Sequence, residues 1–217
     1  PKAGAVPESE EHMAFVPLNP GTLLAPNPVV LVSAARAGER PNLITVAWAG
    51  IVCSKPPMVS ISVKPERYSH ELITQTGEFV INLVSEDMVR WADLCGVKSG
   101  RDIDKFAACG FDPEPAVGMK LAPAIRQAPA YLACKVDRTL PLGSHTMFVA
   151  HVISTGVAEH LMDQNGKIHL DQANLAAYCH GMYMTMHEPQ GFFGFSVARP
   201  EVLARRRAEL RPVDDTQ

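Results

Sequence analysis

Apolar positions in this chain gather into short runs that read more often as strands than as helices. Val29 to Ala35 is a short apolar run that stops at Arg36-Ala37-Gly38-Glu39-Arg40-Pro41, a turn by composition. Strands are predicted at Asn42 to Ala49 and Met58 to Val63. In the second of these, Val59, Ile61 and Val63 alternate with Ser60 and Ser62, the period-two pattern of a half-buried strand. A helix is expected from Ser69, whose hydroxyl can cap the next turn, to Gly77. Glu78 to Val84 reads as a strand. Ser85 then opens a second helix with Glu86 and Asp87 in its first turn, places Met88, Trp91 and Cys95 on one face, and stops at Gly96.

A loop over 97–112 feeds a short helix from Ile103 to Cys109, closed by Gly110. After a proline-rich passage from Pro113 to Pro129, strand-like runs follow at Tyr131 to Leu140, Thr146 to Val157 and, past an Asn165-Gly166 turn, around Ile168. Leu175 to Met186 reads as a strand or a helix, with the alternation of Met182, Met184 and Met186 favouring strand. Glu201 to Leu210 is a late helix whose Arg205-Arg206-Arg207 forms a solvated face. Roughly seven strands, not strictly alternating with helices, predict a mainly β (α+β) chain: a β-barrel with short helices added. No GxGxxG follows a strand and no GxxxxGK[ST] occurs, which argues against dinucleotide and P-loop folds of the doubly wound kind.

Composition narrows the function. The 217 residues fit one large domain (1–217), and 47% hydrophobic against 20% charged residues allow a sizeable core. A net charge of −3 and a pI near 6.3 exclude a broad nucleic-acid surface, so any anion site must be local. No apolar run approaches the roughly 18 residues of a membrane span. Residues 1–12 are polar and acidic, unlike a signal peptide, and the chain opens at Pro1, which implies processing or trimming. Five cysteines without CxxC spacing (Cys53, Cys95, Cys109, Cys134, Cys179) read as reduced thiols of a cytoplasmic protein.

Four stretches carry candidate chemistry. Trp48, followed by Cys53-Ser54-Lys55-Pro56-Pro57, is either a core residue before a rigid loop or an indole covering a flat heterocycle beside phosphate-binding groups. The paired prolines predict that the chain leaves the sheet there. Arg67-Tyr68-Ser69 stands at a helix entry, where free amides suit a phosphate. Lys98-Ser99-Gly100-Arg101, leading through Asp104 to Lys105, is a charged loop: solvated, or a source of cations for an anion. Gly143-Ser144-His145 places an imidazole before a strand, structural or in reach of a bound ring. Cys179-His180 with His187 lacks zinc-site spacing, so no metal is expected. No Ser–His–Asp arrangement can be assigned.

Taken in order, Asn42-Leu43-Ile44-Thr45-Val46-Ala47-Trp48, Pro56-Pro57, Arg67-Tyr68-Ser69 with Leu72-Ile73, Thr76-Gly77-Glu78-Phe79-Val80-Ile81-Asn82, Ser99-Gly100-Arg101 with Asp104-Lys105-Phe106, and Gly143-x-His145 resemble the flavin reductase-like family of FMN-binding split barrels. Within it, they resemble the flavoredoxin type. The likeness covers about residues 20 to 200 and leaves a C-terminal extension from about 192. It implies a homodimer of split β-barrels with FMN near the subunit interface. It also implies Trp48 near the tricyclic ring, with Thr45, Val46, Ala47 and the loop Cys53, Ser54 and Lys55 along the flavin. Arg67, Tyr68 and Ser69 would reach the phosphate, while Lys98, Ser99, Gly100, Arg101, Asp104 and Lys105 would close over ring or phosphate. His145 would act at the reacting face. The implied activity is NAD(P)H-dependent flavin reduction, hydride passing from NADH or NADPH to FMN and on to an acceptor. An FMN electron carrier between protein partners, without its own nicotinamide site, and a flavin-free binding module are the competing readings.

Overall fold

The computed structural model describes residues 15–209, with side chains as far as residue 206. Twelve strands occur among them: β1 (Asn27–Pro28), β2 (Val30–Ala34), β3 (Asn42–Val46), β4 (Ala49–Ser54), β5 (Pro57–Val63), β6 (Glu78–Leu83), β7 (Pro113–Glu114), β8 (Ala124–Ile125), β9 (Ala130–Leu142), β10 (His145–Val157), β11 (Ala176–Cys179) and β12 (Met182–Thr185). The α-helices are α1 (Tyr68–Thr76), α2 (Val89–Val97), α3 (Lys105–Cys109) and α4 (Pro200–Glu209). The architecture is mainly β with short helices, as the pattern of apolar runs predicts.

Two residues decide the shape of the main sheet. Its antiparallel order is β3-β2-β6-β9-β10-β5-β4, so β3 and β4 are its outermost strands although only Ala47 and Trp48 separate them in the chain. Laid flat, the two edges would stand about 29 Å apart, six spacings of ~4.8 Å. Three peptide steps span at most about 11 Å. The sheet must therefore curl until its edges meet. No ladder joins β3 to β4 among the described residues, so the barrel stays open along that seam.

Burial follows strand parity. Val30, Val32, Ala34, Ile44, Val46, Val59, Ile61, Val63, Phe79, Ile81 and Phe148 fill the barrel interior, which Leu72 and Ile73 of α1 close. The opposite face of the same strands, with Val29, Leu31 and Leu43, packs under α2 and α3 against Met88, Ala92, Cys95 and Phe106. Because both its faces are covered, β2 is buried throughout and reads as a run rather than an alternation. A small sheet, β1-β11-β12, flanks the barrel, and β7-β8 forms a two-stranded clip.

Several expectations need correction. The strand predicted from Asn42 to Ala49 ends at Val46, and Ala49–Ser54 is a further strand, paired with β5 from Ala49↔Ile61 to Ser54↔Pro57. The chain therefore leaves the sheet only at the Lys55-Pro56 turn beside the prolines. Pro57 is tolerated because it is the first residue of β5, directly after the Lys55-Pro56 turn. Gly96 does not stop α2, which runs on to Val97. A Cβ there would meet Thr45 at 3.4 Å, so Gly96 serves the close approach of α2 to β3. Leu175 to Met186 is two strands rather than one, turned at His180 and Gly181, whose φ values are +47° and +93°. Around Ile168 there is only an isolated bridge to Met162. Gly77 and Gly110 do end their helices in the left-handed region, at φ of +68° and +66°.

All five cysteines are free, and Cys95 and Cys109 lie with sulfurs 3.7 Å apart between α2 and α3. Burial pushes the Cys95 thiol up to about 12, so it stays protonated and inert. Among the described residues, no helix is long and apolar enough to cross a membrane.

Candidate functional site

The open seam forms a cleft of about 340 Å³ walled by Thr45, Val46, Ala47 and Trp48 on one edge and by Ser62, Val63 and Lys64 on the other, with Arg67, His145 and Tyr178. Trp48 sits there because its carbonyl accepts the Ser62 amide (2.9 Å), the last backbone bond before the edges part. Its indole is 43% exposed, so one side remains available to a ligand. The His145 ring packs on it, centroids 4.5 Å apart and planes tilted by 52°. The Val46 side chain belongs to the barrel interior, and the Thr45 hydroxyl donates to the Ala92 carbonyl, so these two offer the cleft mainly backbone.

Ile44 and Arg67 also border a second hollow of about 140 Å³, lined by Asn42, Glu66, Tyr68, Ser69, Cys95, Lys98, Ser99, Gly100 and Lys105. The two spaces therefore adjoin at Ile44 and Arg67, an aromatic cleft beside a cationic hollow, and together make up a trough. Arg67 stands at the N-terminal boundary of α1, whose first amides have no side-chain cap. Ser69 does not cap the helix as expected. Its buried hydroxyl accepts a hydrogen bond from Asn42 Nδ2 (2.8 Å), tying α1 to β3. Glu66 is the one carboxylate in this lining, and Lys64 Nζ stands 3.8 Å from it.

Lys105 is buried rather than solvated. Its ammonium donates to the carbonyls of Leu43 and Cys95, both at 2.7 Å, and burial holds its pKa below the usual lysine value. At the hollow's rim it is an anchored cation, not a flexible one. Asp104 caps α3 by accepting the Ala107 amide (3.1 Å) and lines neither space. Arg101 turns outward, paired with Glu71 (2.8 Å) and lying 4.9 Å over the Tyr68 ring. It lines a separate ion-paired hollow with Arg36, Glu39 and Arg40. Cys53, Ser54 and Lys55 are likewise absent from the trough, because the hairpin carries Ser54 about 17 Å along the sheet from Ala49 (five rises of ~3.4 Å). These corrections share one cause: sequence adjacency to Trp48 or Lys98 is not spatial adjacency once strand and helix directions are known.

Eight lining residues escape sequence reasoning, among them Ile44, Val63, Glu66 and Cys95. Ser62 was legible only as part of the polar face of β5, and Lys64 only as the residue that follows it. Asn42 looked like a strand start, and Tyr178 arrives from a hairpin distant in sequence, with no local signal.

Gly100 has a steric reason for its place. A Cβ there would lie 1.8 Å from Asn42 Oδ1, so Gly100→Ala must displace the Asn42 amide from Ser69. We expect a loss of about 1–3 kcal/mol of stability, read from denaturant midpoints, as for other overpacked sites. An unchanged midpoint would show that Asn42 does not pack there. His145 allows a second check. Burial first, then the charge of Lys64, lowers its pKa from the ordinary 6.5. The unfolded chain therefore binds this proton more readily, and the residue subtracts stability as pH falls through and below 6.5. Its ring protons, followed by NMR, should titrate with a midpoint below that of free histidine; a midpoint at or above it contradicts the packing described.

A barrel open along one seam, with an aromatic slot beside a cationic hollow, has room for a flat ring in the one and an anion in the other. Comparison with known proteins agrees: the profile of the "Flavin reductase like domain" matches residues 23–197, and the chain belongs to that family. The structure is similar to the flavoredoxin of Desulfovibrio vulgaris (Miyazaki F), with 29% identity and a TM-score of 0.78, covering 86% of this chain and 100% of that one. The sequence is similar to the NADH-dependent flavin reductase of Pseudomonas fluorescens, 30% identical over 63% of this chain and 75% of that protein. It is also 32% identical, over 54% of its length, to an uncharacterised protein of Pyrococcus abyssi, of which it spans just under two thirds, 66%. The family match ends before α4, which begins at Pro200.

Proposed function

We propose that this chain binds FMN and works as an NAD(P)H-dependent flavin reductase. The observation that carries this reading is the pair of adjoining spaces, with Arg67 and Ile44 bordering both the Trp48–His145 slot and the hollow of Lys98 and Lys105. The donor set fits the cofactor. An uncharged aromatic wall suits the tricyclic ring, and three cations against one carboxylate suit the phosphate. When bound, FMN supplies a two-electron acceptor that the side chains lack. The protein's part is placement: Trp48 offers a face, Arg67 and Lys98 fix the anionic end, and the barrel edges limit water. His145, hydrogen-bonded through Nδ1 to Ser144 Oγ (2.9 Å), offers a neutral imidazole to the carboxamide of a nicotinamide.

The likeness to a flavoredoxin supports a second reading, in which FMN relays electrons between protein partners. Anaerobic addition of NADH or NADPH to the FMN-loaded protein separates the two. Bleaching of the visible flavin bands supports the reductase, whereas bands that persist until a reduced protein partner is added support the relay. A protein that stays colourless with added FMN sinks both. We further propose a homodimer of split barrels in the cytoplasm, the family unit ending near 197 and α4 forming a C-terminal extension. Exposed Ile51 and Val52 on the edge strand β4, together with Met182, Met184 and Met186, support the dimer. Sedimentation at two concentrations tests it.

A further inference from the structure

We propose that a second ligand cleft lies beyond Trp48 and takes a small, flat, uncharged organic compound carrying a carbonyl or hydroxyl oxygen. This space of about 350 Å³ is bounded by the segment Thr22–Ala25, by Trp48 and Tyr178, and by His180 at the β11–β12 turn. It shares Trp48 and Tyr178 with the seam cleft and no other lining residue, so the two aromatic side chains form the partition.

The fold builds this cleft deliberately. β1 pairs with β11, setting Asn27 opposite Tyr178, so the chain entering β1 runs alongside the tyrosine. Asn27 Nδ2 donates to the Leu24 carbonyl (2.6 Å), which fixes the entering segment. On the other wall, the Tyr178 ring packs edge-on against Tyr183 at 5.8 Å, and Tyr183 donates to Asp93 (3.2 Å), so the partition is braced from behind. Two successive residues with positive φ make the turn tight and keep His180 at the rim.

Charge decides the ligand class. The seam trough carries Lys64, Arg67, Lys98 and Lys105, whereas no Lys, Arg, Asp or Glu is among the described residues lining this cleft. A phosphate or carboxylate entering here loses water without gaining a counter-charge, so anions are directed to the trough and excluded from this side. What remains is two aromatic faces and the apolar Leu23 and Leu24. Thr22, Asn27, Tyr178 and His180 add polar groups, and Ala25 and Gly181 complete the lining. Polar and apolar surface share the lining about equally, which suits a compact ring whose oxygen these polar groups orient. The inference does not depend on flavin binding.

Calorimetric titration of the flavin-free protein tests it with two probes of one shape, neutral 4-hydroxyacetophenone and anionic 4-hydroxybenzoate. The neutral probe should bind saturably at one site per chain, and the acid, which the trough can take up separately, should compete for that site at least about tenfold more weakly. Leu24→Arg should weaken the neutral probe by at least about tenfold. Leu24 is 82% exposed, so that variant should fold as the parent does, which circular dichroism checks. Arg67→Ala, altering only the trough, should leave the neutral probe's affinity within about twofold. Equal affinity for both probes, or no saturable binding, overturns the proposal. Loss with Arg67→Ala but not with Leu24→Arg overturns it too, because the probe then sits in the seam. If the neutral probe fails to bind while Leu24→Arg converts a dimer to monomers, a second copy fills the cleft and the proposal falls.

Discussion

Arg67→Ala is expected to weaken FMN binding by about ten- to a hundredfold while changing riboflavin binding little. Arg67 borders both compartments of the trough, at the point where a flavin's side chain must pass from ring to phosphate. Two of the other cations are less free to respond. Lys105 is committed to two carbonyls, and Arg101 is held outward by Glu71. A charge-assisted hydrogen bond contributes about 1.5–3 kcal/mol, and each 1.4 kcal/mol is tenfold in affinity. Riboflavin lacks the phosphate, so the variant should bring FMN affinity close to that of riboflavin. Fluorescence titration of flavin-free protein with both compounds measures this. Arg101→Ala, whose guanidinium is spent on Glu71 and Tyr68, should change FMN affinity by no more than about threefold. If Arg67→Ala lowers riboflavin and FMN affinity alike, the residue supports the ring or the fold and the phosphate assignment is wrong.

Much of the barrel was legible because its strands obey simple parity. Val59, Ile61 and Val63 announced a buried face, and Gly77 and Gly110 announced helix ends, each through local chemistry that tertiary structure did not override. The seam was not legible. That Ala47 and Trp48 join the two outermost strands is a property of strand order, which no window of sequence contains. For the same reason sequence adjacency to Trp48 does not bring Cys53, Ser54 and Lys55 into the lining of the seam cleft, since β4 runs away from it, whereas the small sheet brings Tyr178 there. Lys105 illustrates the other limit. A lysine in a charged loop reads as solvated, and only the convergence of β3, α2 and α3 shows an ammonium bonded to two buried carbonyls.

Glu78 tests how the barrel wall itself is held, apart from the trough. Its side chain is 4% exposed at the start of β6. One carboxylate oxygen accepts the amides of Lys120 (3.1 Å), Leu121 (2.5 Å) and Ala122 (3.0 Å). The passage so anchored lays Ala116, Ala122 and Ala124 against Val80 and Ala133, and Asn82 extends the anchor by accepting the Ile125 amide at 2.8 Å. This stretch is short of regular structure and of large apolar side chains, so its amides depend on the carboxylate more than on packing. Glu78→Ala leaves several amides without a partner and opens a cavity, and should lower stability by about 3–5 kcal/mol. Against a typical total of about 5–15 kcal/mol, that is a large fraction. Glu78→Gln keeps the shape but weakens the acceptor, and should fall between, at about 1–2 kcal/mol. Urea unfolding measures both, with the midpoint falling and the slope unchanged if the folded state survives. Because Glu78 lines neither compartment of the trough, FMN affinity of the folded fraction should stay at the parent value. A Glu78→Ala protein as stable as the parent would mean that the Lys120–Ala122 amides find other partners, and the passage is held by apolar contact after all.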